Sequence, residues 1–135
     1  MHNRSLLGSQ GESAVIAHLE SHGYRIRARN YRTSRGEIDI IAEKHETIAF
    51  VEVKTRRSEY FALSTVVTPL KQRKIILTAR FWCALNQISD KTLRFDVAVV
   101  STGASLTPLP GTSADTGEKI MYYRNAFTDE SHEYL

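Results

Sequence analysis

The 135-residue chain has a single cysteine, Cys83, so an internal disulfide is excluded. In the apolar context RFWCAL a lone cysteine reads as a small core residue, and its isolation points to a reducing compartment. Long apolar runs are also lacking. None approaches the length of a membrane span, and the N-terminal MHNRSLLGSQGES has no apolar core of a secretory signal. The expectation is a cytoplasmic protein with no membrane partner. Strong charge of one sign is lacking too. The formal net charge is +3 and the pI about 9.1, which permits a nucleic-acid partner without requiring one. Clustered metal ligands of the zinc type are missing as well. His18 and His22 stand four apart on a helical stretch, but no third ligand lies near them, so a solvated helix face is the better account.

What remains is an ordinary globular composition, 41% hydrophobic and 24% charged. The length fits one domain over 1–135. Residues 5–23 read as a helix, with Leu7, Ala14, Val15 and Leu19 at helical spacing and Gly23 as the stop. Gly8 and Gly11 weaken that helix but allow close backbone approach. Glu12 falls beside Val15, between Ile16 and Leu19, on the core side of the wheel. Three strands follow. In YRIRARNY (24–31) Tyr24, Ile26 and Ala28 alternate with Arg25, Arg27 and Arg29; then come EIDIIAE (37–43) and Thr47–Thr55. Together they suggest an antiparallel meander. Residues 56–67 read mostly as loop. Thr68-Pro69 is a helix start, with Thr as the cap and Pro in the first turn. That helix runs to about Asn86, with Ile75, Ile76, Ala79, Trp82 and Cys83 inward. LRFDVAVV (93–100) and IMYYRNAF (120–127) are further strands. Residues 101–118, rich in Ser, Thr, Gly and Pro, form a long flexible loop, and 128–135 form a tail.

The second and third strands carry unexpected charge. Side chains two apart on a strand share a face, so Glu52 and Lys54 point the same way within FVEVKT. If the hairpin is centred between His45 and Glu46, Asp39 lies directly opposite Glu52, with Cβ atoms roughly 5 Å apart. Lys54 then faces Glu37. Two opposed carboxylates repel, and an apolar setting raises the cost. A divalent cation such as Mg²⁺, with oxygen ligands and several retained waters, offsets it. With Lys54 holding a water one pleat away, the set suits metal-assisted phosphodiester hydrolysis. Asp96, within RFDV, reads instead as a structural carboxylate paired with Arg94 or with a donor at the core edge.

An acidic residue on a first helix, then Asp, then Glu-x-Lys on adjacent strands resembles the PD-(D/E)XK nuclease superfamily. The stretches GSQGE (8–12), HGYRIRARNYR (22–32), GEIDIIAE (36–43), FVEVKTR (50–56) and RFDVAVV (94–100), with the Lys71–Lys74 helix, resemble its YraN-like branch of bacterial proteins. That branch is similar to archaeal Holliday junction resolvases. Ile38 stands where the superfamily motif has proline, as is usual for this branch, and 101–118 looks like an insertion. The resemblance implies an α/β fold with a restriction-endonuclease-like core, a central mixed sheet flanked by helices. It implies that Glu12, Asp39, Glu52 and Lys54 are the catalytic set. Asp39, Glu52 and the Val53 carbonyl would hold Mg²⁺, or Mn²⁺ in its place. Lys54 would position the nucleophile, and Glu12 would bind a second metal or orient a water.

The basic side chains fit a DNA partner. Arg56 and Arg57 adjoin Lys54. Lys71 and Lys74 share a face of the second helix. Arg29 and Arg35 belong to the arginine-rich stretch 25–35, which has five arginines and no acid. The expected activity is Mg²⁺-dependent cleavage of structured, branched DNA. A resolvase-like substrate would make a homodimer natural. Two other readings use the same residues: a non-catalytic nucleic-acid-binding module of this fold, and a scaffold without nucleic-acid affinity.

Overall fold

The computed structural model describes residues 6–56, 67–101 and 119–129. Most of the expected loops over 56–67 and 101–118, the end of the tail, and Arg57 lie outside the described residues; Arg56, expected in the first loop, ends a strand instead. Seven elements follow in chain order: α1 (Leu6–Ser21), β1 (Arg25–Thr33), β2 (Gly36–Lys44), β3 (Thr47–Arg56), α2 (Pro69–Leu85), β4 (Thr92–Ser101) and β5 (Lys119–Phe127).

Local chemistry sets the element ends. α1 stops where Gly23 takes φ +88°. The Gly23 and Tyr24 amides close back on the Glu20 and Leu19 carbonyls, each at 3.0 Å. This paired closure needs a left-handed residue, which glycine supplies without strain. α2 starts at Thr68, whose extended backbone lets Oγ1 accept from the Lys71 amide at 3.3 Å, with Pro69 in the first turn. Asn86 closes its other end. Every residue expected on its inner side is buried, and Thr78 joins them.

The five strands form one sheet in the order β1-β2-β3-β4-β5. The first three pair antiparallel, as the meander reading expects. β3 and β4 pair parallel across the α2 connection, and β5 returns antiparallel. The sheet is therefore mixed. A parallel pair needs a crossover, and α2 supplies it.

One core lies on each face. Under α2, Ile41, Ile48, Phe50, Phe95 and Val97 pack with Ile75, Ile76, Ala79 and Trp82. Under α1, Ile40, Ala42, Val51, Ala98 and Val100 pack with Val15 and Leu19. This helix–sheet–helix layering is the α/β, restriction-endonuclease-like core expected above. α1 sits very close to the sheet. A Cβ on Gly11 would stand 2.6 Å from Thr55 Oγ1, so only glycine fits there unless the strand side yields.

The simple alternation in β1 needs correction. A bulge between Ile26 and Ala28 makes Arg27 the extra residue. Ile26 then packs with the α1 cluster and Ala28 with the α2 cluster. The arginines consequently part company. Arg27 stacks over Trp82, 5.2 Å from the ring centroid. Arg25 and Arg27 both bond Glu43. Arg29 turns to α1.

Candidate active site

The β2–β3 ladder runs from Lys44↔Thr47 to Ile40↔Val51, the register expected from the two-residue connection His45-Glu46. The next pair in that register is Asp39 and Glu52, just past the last rung. There the Asp39 side chain replaces the backbone. Its Oδ2 accepts the Val53 amide at 2.8 Å. A strand residue turns its N–H and C=O toward the same neighbour, so the Val53 carbonyl also points to the β2 side. Strand alternation skips at this point as well. Ile38 packs with the α2 cluster and Ile40 with the α1 cluster, so Asp39 sits at the break between the two faces.

Asp39 and Glu52 are buried, 9% and 6% exposed. They line one cavity of about 540 Å³ together with Val53, Lys54, Thr68, Lys71 and Lys74. One wall is the divergent end of β2 and β3. The other is the first turn of α2. Gly36, also in the lining, lets α2 close on the start of β2: a Cβ there would lie 3.2 Å from the Lys74 carbonyl oxygen. Glu37 and Lys54 line the same cavity.

The electrostatics follow from burial and from like charges. Burial pushes the Asp39 carboxyl up to about 8; the neighbouring Glu52 carboxylate adds to this, the Val53 amide partly opposes it, and Glu12 adds a smaller push. Lys54 and Lys71 both reach Glu52 Oε1, at 3.3 and 2.5 Å. Burial, then Lys71, lowers the Lys54 ammonium despite Glu52. For Lys71 burial acts in the same direction, but Glu52 outweighs it and the net shift is upward.

A second buried aspartate shows what is unusual here. Asp96, 0% exposed, also accepts a backbone amide across a ladder irregularity, from Asn125 at 2.9 Å. Its carboxylate is met by Arg94 at 2.9 Å and by the Tyr122 hydroxyl at 2.5 Å. Arg94 also bonds the Tyr24 hydroxyl at 2.6 Å. Asp96 thus pairs with Arg94 as the sequence suggests and is neutralised by the fold's own cation. Asp39 faces a second carboxylate instead.

Three of the four expected catalytic residues, Asp39, Glu52 and Lys54, share the cavity. Glu12 is buried, 5% exposed, but stands outside its lining, 3.5 Å from Arg29. Arg29 also donates to the Ser9 carbonyl and to Ser13 Oγ. The structure thus places Arg29 as a clasp on α1. Arg35, in the β1–β2 turn, and Arg56, at the end of β3, are exposed. Lys74 is exposed at the cavity rim. Lys71, read from sequence as a DNA contact, reaches into the site. Its place three residues after the Thr68 cap is visible in the sequence; its contact with Glu52 needs the packing of α2 on β3.

The donor set fits a hard cation. Two carboxylates and a carbonyl supply only oxygen, as Mg²⁺ prefers, and leave positions for waters. Among the described residues no three His, Cys, Asp or Glu side chains gather as a complete cage, and the all-oxygen set does not suit zinc. On the α1 side the His18 and His22 rings lie tilted with centroids 4.4 Å apart, and His18 stacks on Tyr122.

Residues 11–100 match the profile described as Uncharacterised protein family UPF0102. A UPF0102 protein of Geobacter metallireducens is 46% identical over 102 residues, 75% of this chain and 83% of its own length. One of Chlorobium phaeobacteroides is 50% identical over 96 residues, 70% of this chain and 76% of its own. One of Alkaliphilus metalliredigens is 41% identical over 122 residues, 90% and 96% respectively. The matched span holds Glu12, Asp39, Glu52, Lys54, Lys71 and most of both cores, and the chain belongs to the UPF0102 family, the YraN-like branch that its GEIDIIAE and FVEVKTR stretches resemble.

Proposed function

We propose that this chain is a metal-dependent nuclease that hydrolyses phosphodiesters of DNA, with structured and branched DNA as substrate and two copies acting on a symmetric junction. The observation that supports this most is the buried carboxylate pair in an open, lysine-rimmed cavity. A fold does not place two acids against each other under cover without something to balance them, and the contrast with Asp96 and Arg94 shows how the same sheet handles a structural aspartate.

Asp39, Glu52 and the Val53 carbonyl would hold Mg²⁺, with Mn²⁺ able to replace it. When bound, the cation makes a water a stronger nucleophile at neutral pH and offsets charge on the phosphate. The other roles fall to side chains. Lys54 is two residues along the strand from Glu52 and orients the attacking water by hydrogen bonding. Its lowered ammonium makes it a readier proton acceptor than an exposed lysine. The Val53 amide fixes one Asp39 oxygen and so orients the carboxylate in the cavity. Glu12, from the α1 side, adds negative charge behind Asp39 and strengthens the hold on a cation. Lys71 and Lys74, which line the cavity, and the exposed Arg35 and Arg56 would contact the DNA backbone.

The test is incubation of purified protein with linear and four-way-junction DNA in Mg²⁺, Mn²⁺ and EDTA, beside Glu52→Gln. Nicking that needs the metal and is lost in Glu52→Gln is expected. DNA binding without metal dependence, unaffected by Glu52→Gln, would favour the non-catalytic binding module.

A further inference from the structure

Two ammonium groups meet on a single oxygen of Glu52. Its Oε1 meets Lys71 Nζ at 2.5 Å and Lys54 Nζ at 3.3 Å. With Asp39 beside Glu52, the two ammonium groups match the two acids in number, so a divalent cation entering between the acids leaves one ammonium in surplus. The two lysines also differ in origin. Lys54 is fixed by the strand that carries Glu52. Lys71 reaches across the cavity from the first turn of α2, and its side chain is more exposed, 38% against 26%.

A divalent cation and an ammonium compete for that oxygen. Like charges at contact distance repel strongly where water is scarce, so a cation on Glu52 displaces the lysine ammonium that has the more open path to solvent. That lysine is Lys71, and its exit leads toward the cavity mouth that Lys74 also lines.

We propose that Lys71 is a resident counter-ion, occupying the Glu52 position in the metal-free protein and giving it up to the divalent cation, whereupon its ammonium turns to the substrate phosphate. This rests on the nuclease reading above and adds a residue outside the Asp and Glu-x-Lys pattern. It carries two consequences. Lys71 opposes metal binding in the absence of DNA. Metal and DNA bind cooperatively, because a phosphate that takes the ammonium releases Glu52, and this coupling is reciprocal.

Calorimetric titration of Ca²⁺ into wild-type protein, Lys71→Met, Lys71→Gln and Glu52→Gln tests this without turnover, with thermal melts confirming that each variant folds. Both Lys71 variants should bind Ca²⁺ about tenfold more tightly than wild type, and Glu52→Gln should bind much more weakly. A short DNA duplex should tighten Ca²⁺ binding to the wild type and leave Lys71→Met unchanged. If the wild type binds through Glu52 but neither Lys71 variant binds more tightly, the inference is overturned and the nuclease reading survives. If no variant and no wild-type sample binds a divalent cation, both are overturned.

Discussion

Burial and the neighbouring Glu52 carboxylate push the Asp39 carboxyl in the folded protein up to about 8, against an ordinary 3.8. The sign follows directly. The stability linked to this raised value is complete below about pH 4 and is lost as pH climbs through about 8. In EDTA, the thermal midpoint of the wild type should therefore fall over that window more steeply than that of Asp39→Asn, which has no proton to lose. At pH 8 the variant should be the more stable by roughly 1–2 kcal/mol, since active-site acids commonly cost stability. Mg²⁺ at pH 8 should raise the wild-type midpoint and leave the variant's in place. Parallel melting curves across pH would mean that Asp39 is not the protonated partner. This site was half legible at the residue scale. An acid inside EIDII and a Glu-x-Lys inside FVEVKT are visible by type and spacing, and the hairpin count set them opposite each other. The amide from Val53 to Asp39 was not visible, because it depends on the ladder ending one rung early.

At the scale of elements, the closeness of α1 to the sheet decides where Glu12 can reach. Gly11 is the hinge of that argument. An alanine in a helix interior ordinarily gains about 1 kcal/mol over glycine. Here the added methyl would press on Thr55 Oγ1 at 2.6 Å, and a β-branched strand side chain has little rotamer freedom with which to yield. Gly11→Ala should therefore destabilise by about 1–2 kcal/mol, lowering the midpoint by several degrees. Thr55→Ala in the same chain should restore most of the loss. Additive effects of the two substitutions in a double-mutant cycle would contradict the contact. The helices were readable from periodicity and caps, and Thr68, Pro69 and Gly23 act as their chemistry suggests. The bulge at Arg27 was not readable. A run of alternating arginines looks the same with or without an extra residue, and only pairing with β2 shows that Arg29 faces α1.

For the whole molecule, the placement of the basic side chains bears on a DNA partner more than the net charge of +3 does. Lys54, Lys71 and Lys74 all line the cavity, and Arg35 and Arg56 stand exposed on the chain. No helix among the described residues is long and apolar enough to cross a membrane. If the rim contacts DNA phosphates, log K measured in Ca²⁺ should fall linearly with log salt, by about 0.9 for each contact. Lys74→Ala and Arg56→Ala should each reduce that slope by about one contact, with similar loss for linear and branched DNA. Slopes unchanged in both variants would place the DNA on another surface.

Among the described residues, the amino-acid sequence by itself determined the two helices, the five strands, the β2–β3 register and the identity of the acids, because periodicity, caps and a two-residue connection are local properties. Only the tertiary structure decided that β3 and β4 run parallel, that Arg29 clasps α1 beside Glu12, and that Lys71 crosses the cavity to Glu52. Those facts depend on how separate elements pack, and the closest approaches are set by two glycines whose missing side chains make the space.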